Sequence, residues 1–249
     1  MRKFILPVLT VCTFFLAGCF ETTQEITLNE DGSGTISNTN DFSALIGMAK
    51  MANPSELEKV PLVDSIISMK EKADSIPDLS PEERTMAKAG ILKLKMNVKE
   101  EKLLTNLVFQ FSKPSQIAAY NKISGKMSNE AMKTLLGGDD AGIPLDKVPE
   151  QSSFDDYYTI EFSNGELTRK VNKEKYAGVQ SDEYLKGAQQ GVSMGLTMKA
   201  NYVINLPRPA TKAEGKNVKL SADKKKVMIS ADIEDFFADP SSLEFKIKY

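Results

Sequence analysis

The longest strictly alternating run in the chain is Met194, Leu196, Met198, Ala200, Tyr202, Ile204 and Leu206, closed by Pro207-Arg208-Pro209. A two-residue apolar period puts all of these side chains on one face of an extended strand, so the stretch demands a sheet with one dry and one wet face. The same period returns elsewhere. Leu92, Leu94, Met96 and Val98 alternate with Lys93, Lys95, Asn97 and Lys99, and after Glu100-Glu101-Lys102 the run Leu107, Phe109 and Phe111 repeats it, which predicts an antiparallel hairpin. Glu21 to Leu28 and Thr35 to Asn38 predict another, across Asn29-Glu30-Asp31-Gly32-Ser33-Gly34, whose glycines supply the positive φ of a tight loop. Tyr158 to Phe162 followed by Asn164-Gly165 predicts a third, with a type I′ turn. Val218 and Leu220, then Val227, Ile229 and Ala231, a short helical Ile233 to Phe237, and Phe245, Ile247 and Tyr249 finish the chain mainly in strands.

Between these strands the period changes. Ala44 to Ala49 reads as helix, Ser55 to Glu58 carries a Ser-x-x-Glu capping pattern, and Leu62, Val63, Ile66, Ile67 and Met69 have helical spacing. Ser80-Pro81-Glu82-Glu83 is a strong helix start, with an N-cap serine, proline at the first helical position and acid against the dipole. Pro114 to Lys122 and Ser128 to Leu136 predict two short helices, Ser181-Asp182-Glu183 opens one more, and Gly137 to Ser153 reads as loop. The expected fold class is α+β, an antiparallel β-sheet built from hairpins with helices packed on one face. Residues 19–249 are expected to form a single domain, with the helical stretch 43–90 as an insertion.

The beginning of the chain is of a different kind. Met1-Arg2-Lys3 is positive, and the uncharged run from Phe4 to Ala17 is too short, and too interrupted at Pro7, for a membrane-spanning helix of about 20 apolar residues. It reads as a signal peptide over residues 1–18. Leu16-Ala17-Gly18-Cys19 ends it as a lipoprotein processing box, with cleavage between Gly18 and Cys19 and lipidation of the Cys19 thiol. Two or three acyl chains, at about 0.8 kcal/mol per buried methylene, anchor a protein stably where one does not. Phe20 after the cysteine, rather than the aspartate of inner-membrane retention, points to the outer membrane.

This reading uses both cysteines, since Cys12 leaves with the signal and Cys19 is acylated, so no disulfide is available to the mature chain. The absence of histidine excludes the HExxH zinc site, the Ser-His-Asp triad and histidine general-base chemistry. The first 18 residues carry two of the 32 basic residues and none of the 34 acidic ones, so the remainder has a net charge of −4. Nucleic acid is therefore not an expected partner.

Several patterns invite chemistry and have plainer readings. Asn29-x-Asp31-x-Ser33-Gly34 begins like a calcium loop, but Asn40 occupies the place of its bidentate glutamate and the flanks read as strands, so a hairpin turn is expected. Met48/Met51 and Met194/Met198 lie on apolar stripes and read as core filler rather than cuprous-ion ligands. Ser221-x-x-Lys224 falls in a turn, where serine–lysine chemistry needs a helix. Asp139-Asp140 and Asp155-Asp156 are adjacent pairs that point apart, unlike glycosidase carboxylates. Tyr157, Tyr158, Tyr176, Tyr184 and Tyr202 are candidates for lining a sugar or lipid groove. Lys93, Lys95 and Lys99 read as the wet face of a hairpin. No catalytic residue, cofactor or metal site is expected.

The opening Cys19-Phe20-Glu21, the run Glu25 to Gly34 with its Asp-Gly-Ser-Gly turn, and Asp41-Phe42-Ser43 resemble the start of a group of uncharacterised bacterial lipoproteins. The segment Tyr202 to Pro207 through Leu243-Glu244-Phe245 is similar to their closing strands, and more loosely to those of LppM-type lipoproteins. The resemblance implies an exported α+β domain and no activity. The expected function is thus that of a membrane-anchored envelope lipoprotein, a non-enzymatic binding or structural module with a protein or lipid partner. The alternative is a carrier of lipid or another small apolar ligand, bound between the helices and the dry face of the sheet.

Overall fold

From Thr197 to Asn205 the alternating run is a strand, and it lies inside a sheet of eight strands among the described residues. A computed structural model describes residues 19–52, 55, 62–76, 79–136, 152–193 and 197–249. The larger sheet contains β1 (Cys19–Leu28), β2 (Gly34–Asp41), β3 (Val63–Ser68), β4 (Ile91–Asn97), β5 (Lys102–Phe111), β8 (Thr197–Asn205), β10 (Lys219–Leu220) and β11 (Lys226–Asp232), in the order β10-β11-β8-β1-β2-β5-β4-β3. The smaller contains β6 (Tyr158–Ser163), β7 (Glu166–Val171), β9 (Lys212–Glu214) and β12 (Phe245–Lys248), in the order β6-β7-β12-β9. The helices are α1 (Ser43–Ala52), α2 (Met69–Lys72), α3 (Pro81–Lys88), α4 (Ile117–Leu136), α5 (Lys173–Tyr176), α6 (Glu183–Ser193) and α7 (Ile233–Ala238).

The α+β class is as expected, and so are the β1–β2, β4–β5 and β6–β7 hairpins. The pairing is mostly antiparallel, and among the described residues the strands form two sheets in which β1 pairs with β8 in parallel, from Cys19 opposite Thr197 to Thr27 opposite Asn205. Local pattern shows that each segment is a strand, but a parallel partner so distant in sequence leaves no local trace.

Apolar rows run across the inner face of the larger sheet. Val227, Ile204, Ile26 and Ile36 are register neighbours on successive strands, and all are buried. Helix α4 covers this face with Ile117, Tyr120, Ile123 and Met127, and Tyr120 stacks on Phe109 with ring centroids 4.7 Å apart. Ile46 of α1 packs on Leu94, Met96 and Leu103 of the same face. The inner side of the smaller sheet, through Phe162, Leu167, Phe245 and Ile247, joins the same core. Lys93 and Lys95 are exposed on the opposite face, and Lys99 lies exposed in the turn that follows.

Three local expectations are corrected. Leu62 to Met69 does not form a helix: Val63–Ser68 is an edge strand beside β4, so the stretch 43–90 is not wholly helical. Its β-branched residues suit either state, and backbone pairing with β4 decides, leaving Ile66 on the outer face 74% exposed. The two short helices expected between 114 and 136 are one 20-residue helix, entered through a 3₁₀ turn at Pro114–Gln116. Gly125 in its interior costs about 1 kcal/mol of propensity, which burial of four large side chains on one stripe outweighs. The Asn164-Gly165 turn is not type I′, which needs positive φ at both central residues; among the described non-glycine residues only Glu101 and Lys224 have it, whereas Gly165 does, at 93°. Glu58 of the Ser55–Glu58 capping pattern and Asp139-Asp140 fall outside the described residues, as does most of the 137–153 loop.

The start of α3 is as its sequence predicts. Glu83 N–H donates to Ser80 Oγ and Ser80 N–H donates to Glu83 Oε2, a complete capping box. Lys122 of α4 reaches Glu83 Oε1 at 2.9 Å, and this hydrogen bond and the Ser80 amide hold the Glu83 carboxyl well below its usual range, at about 2. A carboxyl so depressed stabilises the fold above its unfolded value of 4.5, and that contribution disappears as pH falls through about 2. Glutamine keeps the cap and loses the charge. Glu83→Gln is expected to cost about 0.5 kcal/mol at pH 7, the scale of an ion pair with an exposed lysine. In urea titrations that deficit should shrink as pH falls from 4.5 toward 2.

Candidate functional site

The dry face of the larger sheet is dry along only part of its length. Beside the apolar row, the next inward positions are Tyr202 of β8, Gln24 of β1 and Asn38 of β2, and the row beyond holds Ala200, Thr22, Asn40 and Thr105. Strand alternation turns these residues toward the core, so Tyr202, Gln24, Asn38, Asn40 and Thr105 are buried with Ile26 and Ile36, and Thr22 is half-buried. Helix α4 faces them with Asn121 and Ser128, and the 3₁₀ turn Phe154–Tyr157 supplies Asp155.

Asp155 joins the two sheets. Arg169, on the inward side of β7 and 1% exposed, brings Nη2 to 2.9 Å from Asp155 Oδ1. The approach lies off the N–H axis, so no guanidinium nitrogen completes a hydrogen bond within the protein. The group is held instead between two ring faces, with its central carbon 4.0 Å from the centroid of Tyr158 and 4.2 Å from that of Tyr202. Burial works against the arginine charge, but Asp155 and the two tyrosines outweigh it and hold the pKa above its ordinary value. Burial pushes the hydroxyls of Tyr202 and Tyr158 well above the usual phenol range.

The carboxylate is filled on both oxygens. Tyr202 Oη donates to Oδ1 at 3.0 Å, beside Arg169; on Oδ2, Gln24 Nε2 donates at 3.3 Å and Asn121 Nδ2 at short range. Gln24 Nε2 also donates to Asn121 Oδ1 at 3.0 Å and to Asn38 Oδ1 at 3.1 Å. Thr22 Oγ1 donates to Asn40 Oδ1 at 3.1 Å, and Asn40 Nδ2 to Ser128 Oγ at 3.4 Å. Asn38 Nδ2 has no partner, although Asn38 is only 7% exposed.

Over this array lies a cavity of about 70 Å³. Thr22, Gln24, Asn38, Asn40 and Tyr202 form its floor, Asn121, Ser124 and Ser128 of α4 one wall, and Phe154, Tyr184 and Leu185 part of another. Amides and hydroxyls converge there, and among the described lining residues the one carboxylate, Asp155, already has two partners on each oxygen.

The residues singled out from sequence scatter. Tyr184 and Tyr202 line the cavity and Tyr158 stacks on Arg169, while Tyr157 and Tyr176 pack edge-on around Phe236, so the five tyrosines make no common groove. Asp156 turns away from Asp155 to accept from Ser153 N–H at 3.0 Å. In the β1–β2 turn Asn29 Nδ2 donates to Ser33 Oγ at 2.9 Å, and Ser33 Oγ and N–H both donate to Asp31 Oδ1, with Gly32 at φ 84°. Ser221 Oγ bonds Asp223 rather than Lys224. Met198 lines the cavity; Met194 and the side chains of Met48 and Met51 lie outside the described residues. Among the described residues no group of three His, Cys, Asp or Glu converges as metal ligands.

Sequence reasoning passed over Thr22, Gln24, Asn38, Asn40, Asn121, Ser128 and Arg169. A signal was present: counting by twos from Ile26 and Ile36 reaches Gln24, Thr22, Asn38 and Asn40, polar residues on the face that Ile26 and Ile36 mark as inward. No family model matches the chain, and no curated protein matches it. Among solved structures, the folded domain of the Mycobacterium tuberculosis LppM protein, determined by NMR, aligns over 94% of this chain and 91% of its own, with 7% sequence identity and a TM-score of 0.39.

Proposed function

We propose that this protein is a lipoprotein of the bacterial cell envelope, held by acyl chains on Cys19 after cleavage behind Gly18, and that its domain is a non-enzymatic binding module with the polar cavity as its ligand site. The anchor rests on Leu16-Ala17-Gly18-Cys19, and Phe20 favours the outer membrane. The observation that carries the binding reading is the convergence of the amides and hydroxyls of Thr22, Gln24, Asn40, Asn121, Ser124 and Ser128 on one cavity of about 70 Å³. The filled coordination of Asp155 supports a binding rather than a catalytic role, because each of its oxygens already faces two partners.

Anchor and cavity are close. Strand β1 begins at Cys19 itself, and Thr22, on the cavity floor, follows three residues later, about 10 Å along the strand. A carrier of an apolar ligand would instead use the groove of about 440 Å³ where Val192 of α6 meets Ile233, Phe237 and Ala238 of α7. Gln180, Gln189, Ser193 and Glu234 share that groove, which makes it a poor sleeve for an acyl chain.

Mass spectrometry of the purified protein tests both halves. The mature amino terminus is expected to be Cys19 carrying two or three acyl groups; an unmodified terminus at another residue removes the anchor. Organic extracts are expected to hold no stoichiometric lipid beyond those groups, and one equivalent of free lipid would favour the carrier.

A further inference from the structure

The end of the larger sheet that holds Cys19 has an apolar row of its own. Two residues beyond the polar row of Ala200, Thr22, Asn40 and Thr105, the inward positions are Met198, Phe20, Phe42, Leu103, Met96 and Val63. Phe20 stands opposite Met198, Phe42 N–H donates to the Leu103 carbonyl at 2.8 Å, and Met96 lies between Leu103 and Val63. Ile46 of α1 packs on the middle of the row, where Leu103 and Met96 are buried. The flanks are not closed: Met198, Phe20, Phe42 and Val63 are half-buried, and Leu62 at the far corner is 68% exposed. The adjoining row on the outer face, Lys199, Glu21, Asp41, Leu104, Lys95 and Asp64, is charged at every position but Leu104.

Cys19 decides what meets this edge. It is paired within β1, opposite Thr197, and Phe20 of the apolar row is the next residue. Acyl chains on Cys19 would therefore enter a bilayer with no tether between it and the row. An edge that is apolar on one face and charged on the other suits the boundary between hydrocarbon and water, as an amphipathic helix does. Helix α1, against the row, carries Lys50 as its only charged residue, and Glu101 pairs with it at 2.6 Å. We propose that the domain docks on the bilayer along this whole edge, from Met198 to Leu62, with the apolar row at the acyl boundary and the charged row among the headgroups. The proposal rests on the Cys19 anchor, since without acyl chains so short a row makes only a reversible contact. A domain swinging freely on its anchor would leave Leu62 in water, because four strand spacings, about 19 Å, separate β3 from β1.

The chain has no tryptophan, so one introduced at Leu62 reports alone. Leu62→Trp and, at the opposite end of the sheet, Glu30→Trp are made in the acylated protein and reconstituted into phosphatidylethanolamine–phosphatidylglycerol vesicles, with and without bromine on the upper acyl chain. Both positions are exposed, so both variants should fold. Flotation of the vesicles reads the anchor, and quenching by bromine reads the edge. The Leu62→Trp protein is expected to float and to lose about half of its fluorescence to brominated lipid, since interfacial side chains sit roughly 5–10 Å into the headgroup–acyl boundary. The Glu30→Trp protein should float and keep its fluorescence. If Leu62→Trp floats but is quenched no more than Glu30→Trp, the anchor stands and the docking is overturned, whether water or a second copy of the chain covers the row. If neither protein floats, the anchor falls and the docking with it.

Discussion

Arg169→Met is expected to lower the unfolding free energy by about 3–5 kcal/mol, the usual result of removing one partner from a buried ion pair. The size follows from what remains. Asp155 would be buried among Tyr202, Gln24 and Asn121, which donate hydrogen bonds but carry no positive charge. The ring faces of Tyr158 and Tyr202 would also lose the cation between them. For a mature chain of this length the melting temperature should fall by roughly 10 °C. Arg169→Lys should recover little, since an ammonium is a point charge that cannot stack flat between two rings. Asp155→Asn leaves the complementary defect, an unpaired guanidinium, and the double variant should be less destabilised than the sum of the two single variants. Urea unfolding of the four proteins reads all of this. A loss below about 1 kcal/mol for Arg169→Met would mean that solvent reaches the pair.

That ion pair also marks where sequence reasoning stops. The hairpins were legible because each is a local object: the alternation of Leu92, Leu94 and Met96 is answered by Leu107, Phe109 and Phe111 across a short turn. The same holds for α3, whose first turn contains the whole capping box. Strand β3 was misread because Val63, Ile66 and Ile67 suit helix spacing as well as an edge strand, and only pairing with β4 separates the two. The parallel union of β1 and β8 was hidden for a stronger reason, since register between strands so far apart is a property of the assembled core.

The site was half legible. Thr22, Gln24, Asn38 and Asn40 sit on inward positions that any correct reading of β1 and β2 exposes as polar. On β7, Leu167, Arg169 and Val171 alternate inward, and an arginine there contradicts a dry sheet until its partners are known. Those partners, Asp155 and Tyr202, come from a 3₁₀ turn and from the other sheet. Polar residues at buried positions are where local rules fail, and here they gather in one place around one cavity.

Cys19→Ser is expected to move the protein from the membrane fraction to the soluble fraction completely. On the proposed anchor, at about 0.8 kcal/mol per buried methylene, one acyl chain would hold the protein only marginally, whereas two or three together would make release negligible. Among the described residues no helix is long and apolar enough to cross a membrane, and residues 19–249 carry a net charge of −4. Serine retains the backbone with which Cys19 pairs opposite Thr197 on β8, so the fold should keep its stability to within about 0.5 kcal/mol. The variant therefore separates attachment from folding. Fractionation after alkaline carbonate washing, with urea unfolding of the released protein, measures both. A Cys19→Ser protein that stays in the washed membranes would show that something other than acyl chains holds it.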